Sequence, residues 1–131
     1  MLDVEILGLP AGKPAAPELR RLIIAAAQTG GVCDGHVAIE FVDAARIAEL
    51  NARHRGKSGP TDVLSFPVDG ADAGMPAGAR ELGDVVICAE HVDDLREAVV
   101  HGVLHLVGFD HETDAGEMLA LQRRLLAQQS E

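Results

Sequence analysis

The segment HGVLHLVGFDH, residues 101 to 111, carries three of the chain's six histidines. His101 and His105 are four residues apart, so on a helix their rings project from one face and their nitrogens reach a single ion. Gly108 permits a sharp reversal of the chain, which would return His111 toward the same point. Imidazole suits zinc and related first-row metals, and three protein ligands with a fourth position open describe a catalytic rather than a structural site. Such an ion lowers the pKa of its water to about 7 and polarises a carbonyl or phosphoryl oxygen, which is the chemistry of hydrolysis. An isolated H-x-x-x-H pair is more often a surface or core feature of a helix. The third histidine, the glycine at the turn and the apolar remainder of the helix favour the metal, with His101, His105 and His111 as ligands of Zn2+.

The spacing H-x3-H-x5-H with glycine at its eighth position is also that of the metzincin peptidase motif H-E-x-x-H-x-x-G-x-x-H. The glutamate that serves there as general base follows the first histidine, and Gly102 stands in its place. Peptide hydrolysis is therefore disfavoured.

The elements that must position these residues follow from periodicity. From about Glu90 to Val107 the pattern predicts a helix, apolar on most of its circumference, with one polar stripe of Asp94, Glu97, His101 and His105 that should face a cleft. Gly108 should end it, and a last amphipathic helix should start at Thr113 or Asp114 with Met118, Leu121, Leu125 and Leu126 inward. Upstream, Val4 to Leu7 reads as a strand, and Leu19, Leu22, Ile23 and Ala26 mark one face of a helix that Gly30 and Gly31 stop. HVAIEFV alternates as a strand, Asp43 can cap a helix through AARIAELNARHR, and Val63–Phe66 and Asp84–Cys88 read as short strands. The stretch Val68 to Glu81 has neither period and reads as a loop. This order predicts an α+β fold, a small mixed sheet packed by helices, as one domain over residues 1–131 with a metalloprotease-like three-histidine helix-turn site.

Composition narrows the function. With 131 residues, 47% hydrophobic and 24% charged, the chain is an ordinary folding sequence rather than a disordered one. No apolar run approaches the roughly 18 to 20 residues that span a bilayer, and Asp3 and Glu5 stand where a secretory leader would be positive. A cytoplasmic protein without membrane attachment is expected, with Cys33 and Cys88 as reduced thiols. The net charge of −10 opposes indiscriminate binding to nucleic acid. Basic charge is local: NARHRGKSGPTDVLSFP, from Asn51 to Pro67, holds Arg53, Arg55 and Lys57 against Asp62 alone, whereas Asp84 to Glu117 sets nine acids against Arg96. Phe41, Phe66 and Phe109 are the only aromatic residues of the Phe, Tyr and Trp class, so recognition by base stacking is not expected.

HGVLHLVGFDH, with RGKSGPTDVLSFP and LGDVVIC in order before it, resembles the YbeY family of bacterial endoribonucleases that mature rRNA. The resemblance covers the middle and later half of the chain. It implies a zinc-dependent, single-strand-specific endoribonuclease acting in 16S rRNA 3′-end maturation and ribosome quality control, with single-stranded RNA as substrate, ribosomal proteins as partners and no role for DNA. It also implies the zinc ligands His101, His105 and His111 and a functional arginine at Arg55. Arg55 suits a phosphate clamp because a guanidinium offers paired donors, although an arginine at a helix C-terminus is favoured there in any case. Lys57 would add phosphate attraction, and His101, as first ligand, belongs with Arg55 to the catalytic set.

Glu97 and Asp110 are candidates to hold the second nitrogen of a ligand imidazole. His54 and His91 lack ligand spacing and are expected at the surface, and Ser65 has no partner that would activate it as a nucleophile. Two departures from the family pattern stand out: a shorter stretch from Ala89 to Val100, and little positive charge. The alternative function is a zinc-containing ribosome-assembly factor without catalysis; a metallopeptidase is the third reading, opposed by Gly102.

Overall fold

The computed structural model describes residues 2–11, 15–55, 62–68, 81–109 and 115–129. Its strands form one mixed sheet in the order β1-β2-β4-β3. β1 (Leu2–Leu7) runs parallel to β2 (Gly35–Val42), β2 runs parallel to β4 (Glu81–Cys88), and β3 (Val63–Pro67) lies antiparallel along β4. The period of two sorts the side chains. Val4, Val37, Ile39, Val85 and Ile87 face a core closed by α1 (Ala16–Thr29), α3 (Leu95–Leu106) and α4 (Glu117–Gln129). On the other face Leu64, Val86 and Cys88 meet Ile47 and Leu50 of α2 (Ala44–Arg55). Strand β4 is thus covered on both sides, which is why its run VVIC is continuously apolar. Edge strand β1 alternates buried Leu2 and Val4 with exposed Asp3 and Glu5.

The α+β expectation holds, and several boundaries move. β4 begins at Glu81 rather than Asp84, because Leu82 is fully buried and Gly83 continues the strand at φ +132. A Cβ at Gly83 would collide with the Phe66 carbonyl, and the β2–β4 register shifts opposite this point, between His36 and Val37. The sequence GARELG looks like loop because the strand enters through an irregular step that needs glycine. The remainder of the expected loop, residues 69–80, lies outside the described residues.

The histidine helix also starts later than Glu90. Residues Ala89–His91 form a separate 3₁₀ turn, and α3 begins only at Leu95. Asp94, in extended backbone, is its cap rather than part of its stripe: the carboxylate accepts from Arg96 N at 3.0 Å and Glu97 N at 3.4 Å. Periodicity runs through such a cap without registering it, because Asp94 occupies a polar position either way. Asp43 caps α2 in the same manner, accepting from Arg46 N at 2.8 Å. The last helix begins at Glu117, not at Thr113 or Asp114; Gly116, at φ +103, departs from helical geometry just before it.

Two glycines fix α3 against its surroundings. At Gly102 a Cβ would run into Cγ1 of Val85 and approach Cγ1 of Val63 to 3.4 Å, so this face of α3 lies directly on β4 and β3. At Gly30 a Cβ would fall 2.6 Å from Cβ of Val107, which brings the C-terminal ends of α1 and α3 together. The Ser65 hydroxyl of β3 donates to the Gly102 carbonyl at 3.1 Å, tying helix to sheet.

Candidate metal centre

With Gly102 pressed onto the sheet, the neighbouring position 101 turns away from β4, and His105 follows one helical turn later. Both rings are half-buried, packed edge to face with centroids 4.7 Å apart, and their Nε2 atoms are separated by 3.2 Å. Each Nδ1 is held from outside the pair. His105 Nδ1 lies 3.0 Å from the Phe109 carbonyl, which can only accept, so this nitrogen carries the proton and Nε2 presents a lone pair. His101 Nδ1 lies 2.9 Å from Gln122 Oε1, an acceptor that suits a proton on the same ring nitrogen as in His105. The two Nε2 atoms, each able to offer a lone pair in this tautomer, thus lie 3.2 Å apart, where one cation would be held by both.

The separation suits a metal. Two nitrogens about 2.05 Å from a tetrahedral ion stand about 3.3 Å apart. The donor type, tautomer and spacing of His101 and His105 thus fit zinc. Among the described residues no group of three or more His, Cys, Asp or Glu side chains is gathered about one point. The third expected ligand, His111, lies outside the described residues.

The polar stripe of α3 faces a cleft through Glu97 and His101, with the cap Asp94 beside them, while His105 is not among the lining residues. A cavity of about 310 Å3 is lined by Asp62, Asp93, Asp94, Glu97, His101 and Gln122, among others, so its wall is rich in carboxylates beside one of the two imidazoles. His91, expected at the surface, is exposed and lies at the same cavity. Arg55 is the last residue of α2; its side chain, that of His54 and the whole of Lys57 lie outside the described residues. Asp110 does as well. Glu97 is exposed, and the outer nitrogens of the histidines are held by Gln122 and the Phe109 carbonyl, two partners that sequence reasoning missed. Gln122 had a signal: it falls on the stripe of Met118, Leu125 and Leu126, where a polar residue is out of place. A backbone carbonyl carries none. Ser65 is accounted for by its bond to Gly102, and both cysteines are free thiols, Cys33 exposed and Cys88 buried.

The family model described as Endoribonuclease YbeY matches residues 15–130. The chain belongs to the YbeY family. It is 44% identical to a protein named Endoribonuclease YbeY from Stenotrophomonas maltophilia strain R551-3, over 97% of this chain and 89% of that one. A protein of the same name from Alkalilimnicola ehrlichii is 41% identical over 96% and 86% of the two chains. The aligned stretch with the Stenotrophomonas protein, 145 positions, exceeds the 131 residues of this chain, so that YbeY carries residues lacking here. The fold is also similar to the solution structure of TM1509 from Thermotoga maritima, with a TM-score of 0.59 and 27% identity over 96% of this chain and 88% of that one.

Proposed function

We propose that this YbeY-family endoribonuclease is a zinc enzyme that cuts single-stranded RNA at a centre formed by His101, His105 and His111. The observation that carries the reading is the pair of Nε2 lone pairs set 3.2 Å apart with both Nδ1 atoms anchored elsewhere. Bound there, the ion supplies Lewis-acid activation of the scissile phosphodiester and of the attacking water, work that needs no glutamate at position 102.

The protein's own residues bind and orient. His101, on the rim of the cavity, joins the metal centre to the space a substrate enters. The carboxylates of Asp62, Asp93 and Glu97 repel phosphate from that space and leave it to the polar edges of a nucleoside. Arg55, at the end of α2, holds a non-bridging phosphate oxygen through its paired donors, and Lys57 adds attraction without directionality. Because the chain carries a net charge of −10, affinity for RNA rests on this basic block and on ribosomal proteins that bring enzyme and rRNA together. The substrate we assign is the 3′ end of 16S rRNA, in a cytoplasmic role of maturation and ribosome quality control. Among the described residues no helix is long and apolar enough to cross a membrane.

The test is cleavage of single-stranded rRNA fragments by protein of measured zinc content, beside the His105→Ala and Arg55→Ala variants. His105→Ala is expected to lose zinc and cleavage together, and Arg55→Ala to keep zinc while cleavage falls at least tenfold. Stoichiometric zinc with cleavage indifferent to both substitutions would overturn the assignment.

A further inference from the structure

Among the described residues only Asn51 and Gln122 are polar side chains in the buried class. Gln122 is 5% exposed and lies on the face of α4 that sends Met118 and Leu125 into the core. An amide is tolerated there only when it is hydrogen-bonded, and its oxygen meets the Nδ1 of His101 at 2.9 Å. The bond crosses from α4 to α3, so the packing of the last helix reaches one of the two imidazoles directly.

We propose that Gln122 is a positioning residue of the metal centre, accepting the Nδ1 proton of His101 and so keeping Nε2 unprotonated and able to ligate the ion. The inference rests on the zinc reading above. His105 receives the same service from a backbone carbonyl, which permits one tautomer only. A carboxamide offers an acceptor on one side and a donor on the other, so the tautomer of His101 follows the way the amide is turned. With Oε1 toward the ring, His101 matches His105 and both can ligate; with the amide reversed, His101 would carry its proton on Nε2, where it excludes a metal. An outer partner of this kind fixes the ring and raises its basicity, and its loss commonly weakens metal binding about 10- to 100-fold.

Zinc affinity by chelator competition separates this role from a merely structural one when measured on the wild type, Gln122→Glu, Gln122→Met and His105→Ala. Methionine fills the same volume without an acceptor, and its zinc affinity is expected to fall at least tenfold. Glutamate can only accept, and should bind zinc at least as tightly as the wild type. In the zinc-loaded proteins the His101 Nδ1 proton should give a slowly exchanging NMR signal in the wild type and in Gln122→Glu, and should exchange rapidly in Gln122→Met. A methionine variant within twofold of the wild type in affinity, with its Nδ1 proton still protected, overturns the positioning role and leaves the zinc reading intact. If the methionine variant does not fold, a glutamate variant binding zinc more than tenfold more weakly overturns it instead. A wild type that binds no zinc, or a His105→Ala variant that binds as the wild type does, removes the metal reading itself.

Discussion

A Cβ at position 102 would be driven into Cγ1 of fully buried Val85, with Cγ2 only 3.2 Å away, so the residue that separates this chain from the metzincin pattern is set by packing. The missing glutamate and the tight helix–sheet contact are one fact. In a solvated helix Gly→Ala would gain about 1 kcal/mol of propensity, whereas forcing a methyl group into a closed core costs about 1–3 kcal/mol. Gly102→Ala is expected to be destabilising on balance, by about 1 kcal/mol, and Gly102→Ala with Val85→Ala to recover helix–sheet contact at the price of a smaller core. Denaturant midpoints of the two single variants and the double variant check this through their coupling. Ser65 makes a second residue-scale case. Its hydroxyl is spent on the Gly102 carbonyl, so Ser65→Ala should keep RNA cleavage within about twofold, and a loss on the scale of His105→Ala would give the hydroxyl a part in the chemistry.

At the scale of elements, α3 is an instrument for holding two rings still. Its N-terminus is closed by Asp94 and its side facing the sheet is anchored by Gly102 and Ser65. Phe109, just beyond its C-terminus, returns a carbonyl to His105, and its backbone N–H reaches the Leu104 carbonyl at 3.0 Å. Asp94→Ala removes the acceptor for two backbone N–H groups and should cost about 0.5–2 kcal/mol, while Asp94→Asn should lose only a fraction of that. Thermal unfolding in the presence of a chelator reads the difference apart from any contribution of the proposed metal. The approach to this helix is short: one 3₁₀ turn, Ala89–His91, and a capped start at Leu95 lie between β4 and the histidines.

Across the whole molecule, charge is distributed so that one imidazole links three strands. His36 of β2 meets Glu81 of β4 at 2.7 Å and Glu5 of β1 at 3.2 Å. Partial burial pulls its pKa down, but the hydrogen bond and charge of Glu81, with Glu5 and Asp3 adding to them, prevail and raise it above the ordinary 6.5. A raised folded-state pKa means that protonated His36 stabilises the fold fully below about pH 6.5 and loses that contribution as pH rises through the folded value. Unfolding free energy should therefore fall on the alkaline side of pH 6.5 in the wild type, and that slope should flatten in His36→Gln; identical slopes would show the cluster to be energetically silent. Zinc bound at the proposed centre would act on the same global equilibrium. At a free concentration 100 times its Kd the ion should add about 2.7 kcal/mol and raise Tm by several degrees, an increase that a chelator reverses and that His105→Ala abolishes.

The sequence by itself determined the kinds of elements and the histidines that belong together. Periodicity of two and of 3.6, the cap Asp43, and the spacing of His101 and His105 are local properties, and local sterics and hydrogen bonding express them wherever the chain lies, whereas Asp94 reads as one more polar position of the helix it in fact caps. The start of β4 at Glu81 was hidden because a strand entering through a glycine step has the composition of a loop. Tertiary structure alone decided the strand order, the packing of Gly102 on Val85, and the partners of the two imidazoles. Gln122 reaches His101 across 21 positions of sequence, Glu81 reaches His36 across 45, and His105 is oriented by a carbonyl that every residue possesses. Such contacts depend on how amphipathic faces dock. A single chain read in order specifies those faces, whereas the surface each one meets is settled only when the core closes.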